Sequence, residues 1–167
     1  MKNIRVKKIV KEVLIGAVIL FVISNVVSYL RKPVLQDDRL PAISVQTIEG
    51  KNIDLNSYRG KPLLIHFWAT WCPVCKMETA NIERVSEKYQ VITIAVNSGD
   101  NEKIKAFLRE QGAGFQVIND DEGNFAGQFS VEVFPTTFIY DSSGKLFFSE
   151  VGYTSTAGLL GRMALAE

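Results

Sequence analysis

The chain has 167 residues, 47% hydrophobic and 22% charged, a composition that excludes a disordered protein and suits one domain with an appendage. Residues 1–32 carry seven basic side chains against Glu12, for +6, so the rest must sum to −5 to give the net +1; that leaves no basic stripe for phosphates and excludes a nucleic-acid partner. One His and two Cys, Cys72 and Cys75, are too few for a closed four-ligand zinc site or a stapled disulfide framework, and no metal site is expected within the chain.

Residues 1–12 form a basic segment, and residues 13–30 are eighteen residues without a charge, which as a helix cover roughly 27 Å. Five basic residues precede the run and Arg31 and Lys32 follow it. The bias places residues 1–12 in the cytoplasm and makes 13–30 a transmembrane signal anchor with the remainder across the membrane. A cleaved signal peptide is the competing reading, since Val26-Val27-Ser28 offers small residues to a peptidase. Residues 31–40 hold charges, a proline and no periodicity, and are expected to be a tether; a domain over 41–167 follows.

Within that domain, Ser44–Ile48 and Ile53–Leu55 flank Glu49-Gly50-Lys51 as a hairpin extension. Leu63–Trp68 and Val91–Val96 are near-continuous apolar runs, suited to strands buried on both faces of a sheet. Between them Val74, Met77, Asn81/Ile82, Val85 and Tyr89 recur at helical spacing, with Lys76, Glu83 and Glu87 elsewhere, and predict an amphipathic helix with those residues on its apolar face. A helix over 101–111 stopping at Gly112, a strand over 116–119, a brief helix within 122–130 presenting Phe125 and Phe129, a hairpin of 137–140 with 146–149, and a helix over 155–166 complete an α/β sandwich.

The two cysteines fall where a buried strand hands over to that amphipathic helix. Cys72 is expected as its N-cap, Pro73 as the first helical residue, and Cys75 one turn inside. The helix N-terminus stabilises a thiolate on Cys72. Lowering a thiol pKa from about 8.5 to about 7 takes roughly 2 kcal/mol and raises the thiolate to about half near neutrality. Cys72 is then the nucleophile and Cys75 the resolving thiol. Two inert core cysteines, or two ligands of a metal shared between chains, stand as alternatives.

Phe67-Trp68-Ala69-Thr70-Trp71-Cys72-Pro73-Val74-Cys75-Lys76-Met77 resembles the active-site signature of thioredoxin-like proteins, and Phe134-Pro135-Thr136-Thr137 resembles their cis-proline loop. With the leading hairpin, Gly60-Lys61-Pro62 and the anchor, the chain is similar to membrane-anchored TlpA-like disulfide oxidoreductases, most of all the ScsD (suppressor of copper sensitivity) type. The resemblance implies a three-layer sandwich with a central mixed sheet flanked by helices. It implies a cis Pro135 against the sulfurs, and a substrate-binding surface of Trp71, Pro73, Val74, Phe134, Pro135 and Thr136. It also implies no cofactor beyond a redox-active Cys72–Cys75 disulfide.

The expected activity is protein thiol–disulfide exchange in the periplasm at the bacterial inner membrane. The expected direction is reduction of oxidised envelope proteins, with electrons from a DsbD-type transmembrane donor. Two other classes compete: copper handling by the same thiolates, and a thiol peroxidase, against which Ala69 stands where such enzymes carry Thr. Three positions depart from the family pattern. His66 occupies the place of a buried acid and is a candidate for proton transfer, as is Glu78, read more as a solvated helix residue. Ala80 replaces a helix-kinking proline. Val-Phe-Pro-Thr at 133–136 differs from the Gly-Ala-Pro-Glu of the cytochrome-maturation branch, which argues against an apocytochrome partner.

Overall fold

The structure, a computed structural model, describes residues 2–30, 33, 35 and 37–167, with side chains in the N-terminal helix described for residues 10–23 and 26. Arg31, Lys32, Val34 and Gln36 of the expected tether lie outside the described residues. The chain divides into two compact units, Met1–Lys32 and Pro33–Glu167.

The first unit is one helix, α1 (Lys2–Leu30). Its described apolar side chains, Val13, Leu14, Phe21 and Ile23 among them, are all exposed. Among the described residues no helix is long and apolar enough to cross a membrane, and part of the expected anchor over 13–30 lies outside the residues whose side chains are described. The helix is present, but residues 24, 25 and 27–30 have side chains outside the described set.

The second unit is built on a five-stranded sheet in the order β5-β4-β3-β6-β7, with β3 (Leu63–Trp68), β4 (Gln90–Val96) and β5 (Gln116–Asp120) parallel, β6 (Thr136–Tyr140) antiparallel to β3, and β7 (Leu146–Val151) antiparallel to β6. Every residue of β3 is buried, as its unbroken apolar run predicts for a central strand. One face packs against α2 (Pro73–Ser86), α3 (Asn101–Gln111) and α5 (Thr156–Leu165) through Leu64, Trp68, Ile82, Phe107, Leu159 and Met163. The other face packs Ile65, Phe67 and Phe138 against α4 (Asn124–Gln128), Phe129 and the hairpin residues Ile53 and Leu55. This is the expected three-layer sandwich with a mixed sheet.

Local signals set the helix ends. Asp100 and Ser155 cap α3 and α5 with side-chain oxygens, and α3 stops at Gly112 in the left-handed region, φ 64°, where a glycine carries no Cβ penalty.

Three elements differ from expectation. The hairpin strands β1 (Ser44–Gln46) and β2 (Asn52–Asp54) are short. Ile48 instead donates its N–H to Val117 O on β5 at 2.9 Å, covering that sheet edge. Leu55 opens a 3-10 turn to Tyr58, capped by Asp54. In α2, Val74 and Met77 face outward, 38% and 70% exposed, while Cys75, Glu78, Thr79, Ile82 and Val85 are buried. The inward stripe of the first turn therefore begins at Cys75 rather than Val74. The tether's last residues join the fold: Arg39 bridges Lys145 and Leu40 is buried, its N–H bonded to Gly144 O at 2.7 Å.

Candidate active site

β3 delivers the chain to the mouth of α2. Trp68 ends the strand, Cys72 N–H closes a turn onto Ala69 O at 3.2 Å, and Cys72 takes extended backbone, φ −85° and ψ 114°, as the N-cap of α2 with Pro73 in the first helical position. Pro73 has no N–H to leave unsatisfied there. The Cys75 N–H points at Cys72 Sγ, 3.2 Å away, so an amide of the first turn is aimed at the outer sulfur, where it favours a thiolate once the bond is opened. Cys72 and Cys75 are joined as a disulfide with Cα atoms 5.2 Å apart. Their exposures are 5% and 2%, so attack on either requires approach along the loop surface.

That surface is held by two neighbouring loops. The Phe134–Pro135 peptide is cis, and Phe134 O lies 3.7 Å from Cys72 Sγ. Thr136 Oγ1 donates to Val133 O at 2.7 Å, which closes the loop around the proline. Trp71, 59% exposed, stands edge-on to the Phe134 ring at 5.8 Å and donates from Nε1 to Asn97 O at 3.0 Å. Asn97 adopts φ 46°, an uncommon conformation for a non-glycine residue that Asn tolerates. Beside it Ser98 Oγ accepts the Thr70 N–H at 3.0 Å and donates to Val96 O. Asn97 and Ser98 were missed in the sequence; the Asn-Ser-Gly run ending a buried strand was the signal available.

Behind the sulfurs the helix-packed face of the sheet carries polar groups. His66 pairs with Thr93 on one side and Thr137 on the other, and Thr137 pairs with Glu150, so the four form a row across the strands. His66 Nδ1 lies 2.9 Å from Thr137 Oγ1. Burial drives the His66 pKa down to about 3, so the ring is neutral at physiological pH.

Glu78, three residues after Cys75 on the same face of α2, is wholly buried rather than solvated. Its Oε1 accepts the Thr154 N–H at 2.8 Å and its Oε2 has no partner among the described residues. Burial pushes its pKa up to about 8, against the lowering effect of the Thr154 bond and with a further rise from the Glu150 charge. The carboxyl behind Cys75 is therefore mostly protonated near neutrality. Sequence reasoning placed Glu78 outside because its partner lies 76 residues away. α2 is one continuous helix across Ala80. Among the described residues no three His, Cys, Asp or Glu cluster to hold a metal.

A thioredoxin-like protein of Haemophilus influenzae is 32% identical over 165 residues, 98% of each chain. The thiol-disulfide oxidoreductase ResA of Bacillus cereus is 32% identical over 116 residues, 67% of each chain. A thioredoxin-family thiol:disulfide interchange protein of Chlorobium tepidum shares the fold at a TM-score of 0.68 and 24% identity, over 80% of this chain and 98% of that one. The AhpC/TSA family matches residues 37–149. Because that stretch runs from the end of the tether into the last strand of the sheet and takes in both the cysteines and the cis-proline, the chain belongs to the AhpC/TSA family, in its thioredoxin-like fold and with thiol-disulfide oxidoreductases among its relatives.

Proposed function

We propose that this protein is a thiol-disulfide oxidoreductase that reduces disulfides in envelope proteins. The observation that carries the reading is the Cys72–Cys75 disulfide at the mouth of α2, with Phe134 O at 3.7 Å and a cis Pro135 beside it. In the working direction the Cys72 thiolate attacks a substrate disulfide, forming a mixed disulfide and releasing one substrate thiolate. The Cys75 thiolate then attacks Cys72 Sγ, re-forms the internal disulfide and releases the second, so two electrons pass to the substrate. A DsbD-type membrane donor returns the pair to the dithiol, and no bound organic cofactor takes part.

Glu78 serves both half-reactions. With the internal disulfide intact it holds a proton, which it gives to the Cys75 sulfur when a donor thiolate attacks Cys72. As a carboxylate it takes the proton back when Cys75 attacks. Trp71, Val74 and Met77 form the apolar landing around the sulfurs, and Phe134 offers backbone to an extended partner.

The location belongs to the same proposal. The uncharged run over 13–30, preceded by basic residues and lying in a helix, supports attachment to the cytoplasmic membrane with the domain on the periplasmic side. The TlpA-like, ScsD-type assignment with its link to copper tolerance rests on the sequence resemblance alone. The family match favours one second reading, a thiol peroxidase, and peroxide consumption by the purified protein is its test.

The deciding experiment is a trap. In a Cys75→Ala variant expressed in envelope-containing cells, Cys72 should remain covalently joined to protein partners that reducing agent releases. If no adducts form while the variant is folded and its Cys72 is free, the exchange reading fails. Equilibration of the parent with glutathione reads direction, and a strongly oxidising potential overturns the reductase assignment.

A further inference from the structure

The Glu78 site extends beyond residues 37–149 to groups that touch neither sulfur. Thr154, in the loop between β7 and α5, is held on three sides. Its N–H bonds Glu78 Oε1 at 2.8 Å, its carbonyl accepts Asn81 Nδ2 at 3.0 Å, and its Oγ1 donates to Glu150 Oε2 at 3.4 Å. Asn81 is itself fixed by the Thr156 hydroxyl at 2.8 Å. Glu150 Oε2 also takes Arg162 Nη2 at 2.9 Å, and the Arg162 guanidinium lies 4.2 Å over the Phe148 ring. Both members of this ion pair are mostly shielded, 25% and 29% exposed, so water screens them less than a surface pair.

We propose that the Glu150–Arg162 ion pair is a positioning device for the redox site: it holds Thr154 against Glu78 and sets the net charge that the Glu78 carboxyl feels, thereby tuning the proton it exchanges with Cys75. The proposal rests on the Glu78 role given above. Among the described residues, Glu150 on β7 is the charged side chain that acts on Glu78; Arg162 on α5 is paired with Glu150, Cys75 shares the buried face of α2, and the titratable groups on the neighbouring elements are His66 on β3 and Tyr153 in the loop. β4 contributes uncharged Thr93, and toward α3 Lys76 lies over the Phe107 ring. His66 is neutral, and Tyr153 is committed to Asn81 Nδ2 through its oxygen at 3.1 Å. Glu150 is the charge that reaches Glu78, and Arg162 is its counterweight.

Opposite signs make the idea testable. Glu150→Gln removes the negative charge and should lower the Glu78 midpoint by about one pH unit; Arg162→Gln leaves Glu150 unbalanced and should raise it by a similar amount. Arg162→Lys keeps the charge and should restore the parent value. The Glu78 carboxyl is titrated in the full-length disulfide form by isotope-edited infrared spectroscopy, with the parent against Glu78→Gln identifying the band, so the readout does not depend on turnover. Midpoints that stay put, or that move in the same direction in both Gln variants, overturn the proposal. If the midpoints split as expected while the pH profile of disulfide exchange does not follow, the electrostatic coupling stands and the assignment of Glu78 to proton transfer falls instead.

Discussion

The two faces of the central sheet come from the same strands and bury different chemistry. On the hairpin side Ile65, Phe67, Ile92, Ile94 and Phe138 meet α4 and Phe129, with the Phe67, Phe129 and Phe138 rings in a triangle of 5.1, 5.4 and 5.8 Å. On the helix side the same strands bury Thr93, His66 and Thr137 within the apolar contacts, and α2 adds Glu78. Burying such groups costs free energy unless each is hydrogen-bonded or kept neutral. The first face therefore supplies stability without chemistry, and the second gives up some stability to keep ionisable groups behind the sulfurs.

The largest test of that division is Phe138→Ala. It opens the aromatic triangle and should lower unfolding free energy by about 3–5 kcal/mol in denaturant titrations, while the glutathione equilibrium of the folded protein stays within about 30 mV of the parent. A larger shift in potential would mean the hydrocarbon face also tunes the sulfurs, and the contrast would break.

The helix side should show itself as pH dependence of stability with the disulfide intact. Glu78 has a pKa raised from 4.5 to about 8, so its contribution is full below 4.5 and is lost as pH rises toward 8. The His66 pKa is lowered from 6.5 to about 3, so its contribution is full above 6.5 and is lost as pH falls toward 3. Between 4.5 and 6.5 the two slopes cancel. At about 1.4 kcal/mol per pH unit, a loss of about 2 kcal/mol is expected on each side of that plateau. Glu78→Gln should flatten the alkaline limb and His66→Gln the acid limb, each measured as a difference from the parent so that other groups drop out. An alkaline limb that survives in Glu78→Gln refutes the buried-acid account.

What the sequence shows of this architecture follows the range of the forces involved. Strands and helices are legible because apolar runs and caps such as Asp100, Ser155 and Gly112 act within a few residues. The cysteines at the mouth of α2 are legible for the same reason, since Trp68, Cys72 and Pro73 lie within six residues of the chain. The cis Pro135 came from family resemblance, not from any local signal. What failed was the facing of α2 and the burial of Glu78. Helical spacing reports a stripe but not which side of it the core covers, so spacing sets Val74 and Met77 on the apolar face while in the fold they stand outward. A carboxylate is read as solvated unless its partner is known, and Thr154 becomes a neighbour of Glu78 only after β6, β7 and the loop beyond them are in place.

The smallest effect lies at the rim, where neither face of the sheet reaches. Trp71 is more than half exposed and makes one hydrogen bond, to Asn97 O, and one ring contact, to Phe134. Trp71→Ala should therefore cost about 1 kcal/mol of stability. Its effect on exchange should depend on substrate size. Glutathione disulfide needs only the sulfur and the amide behind it, so its rate should stay near the parent's. A folded protein disulfide must lay apolar surface on the ring, and losing that contact should slow it about tenfold, the order of an interface tryptophan. Stopped-flow rates for the two substrates side by side separate the outcomes. Equal slowing of both would put Trp71 to work on the electrostatics of Cys72, and the rim would then belong with the polar face rather than apart from it.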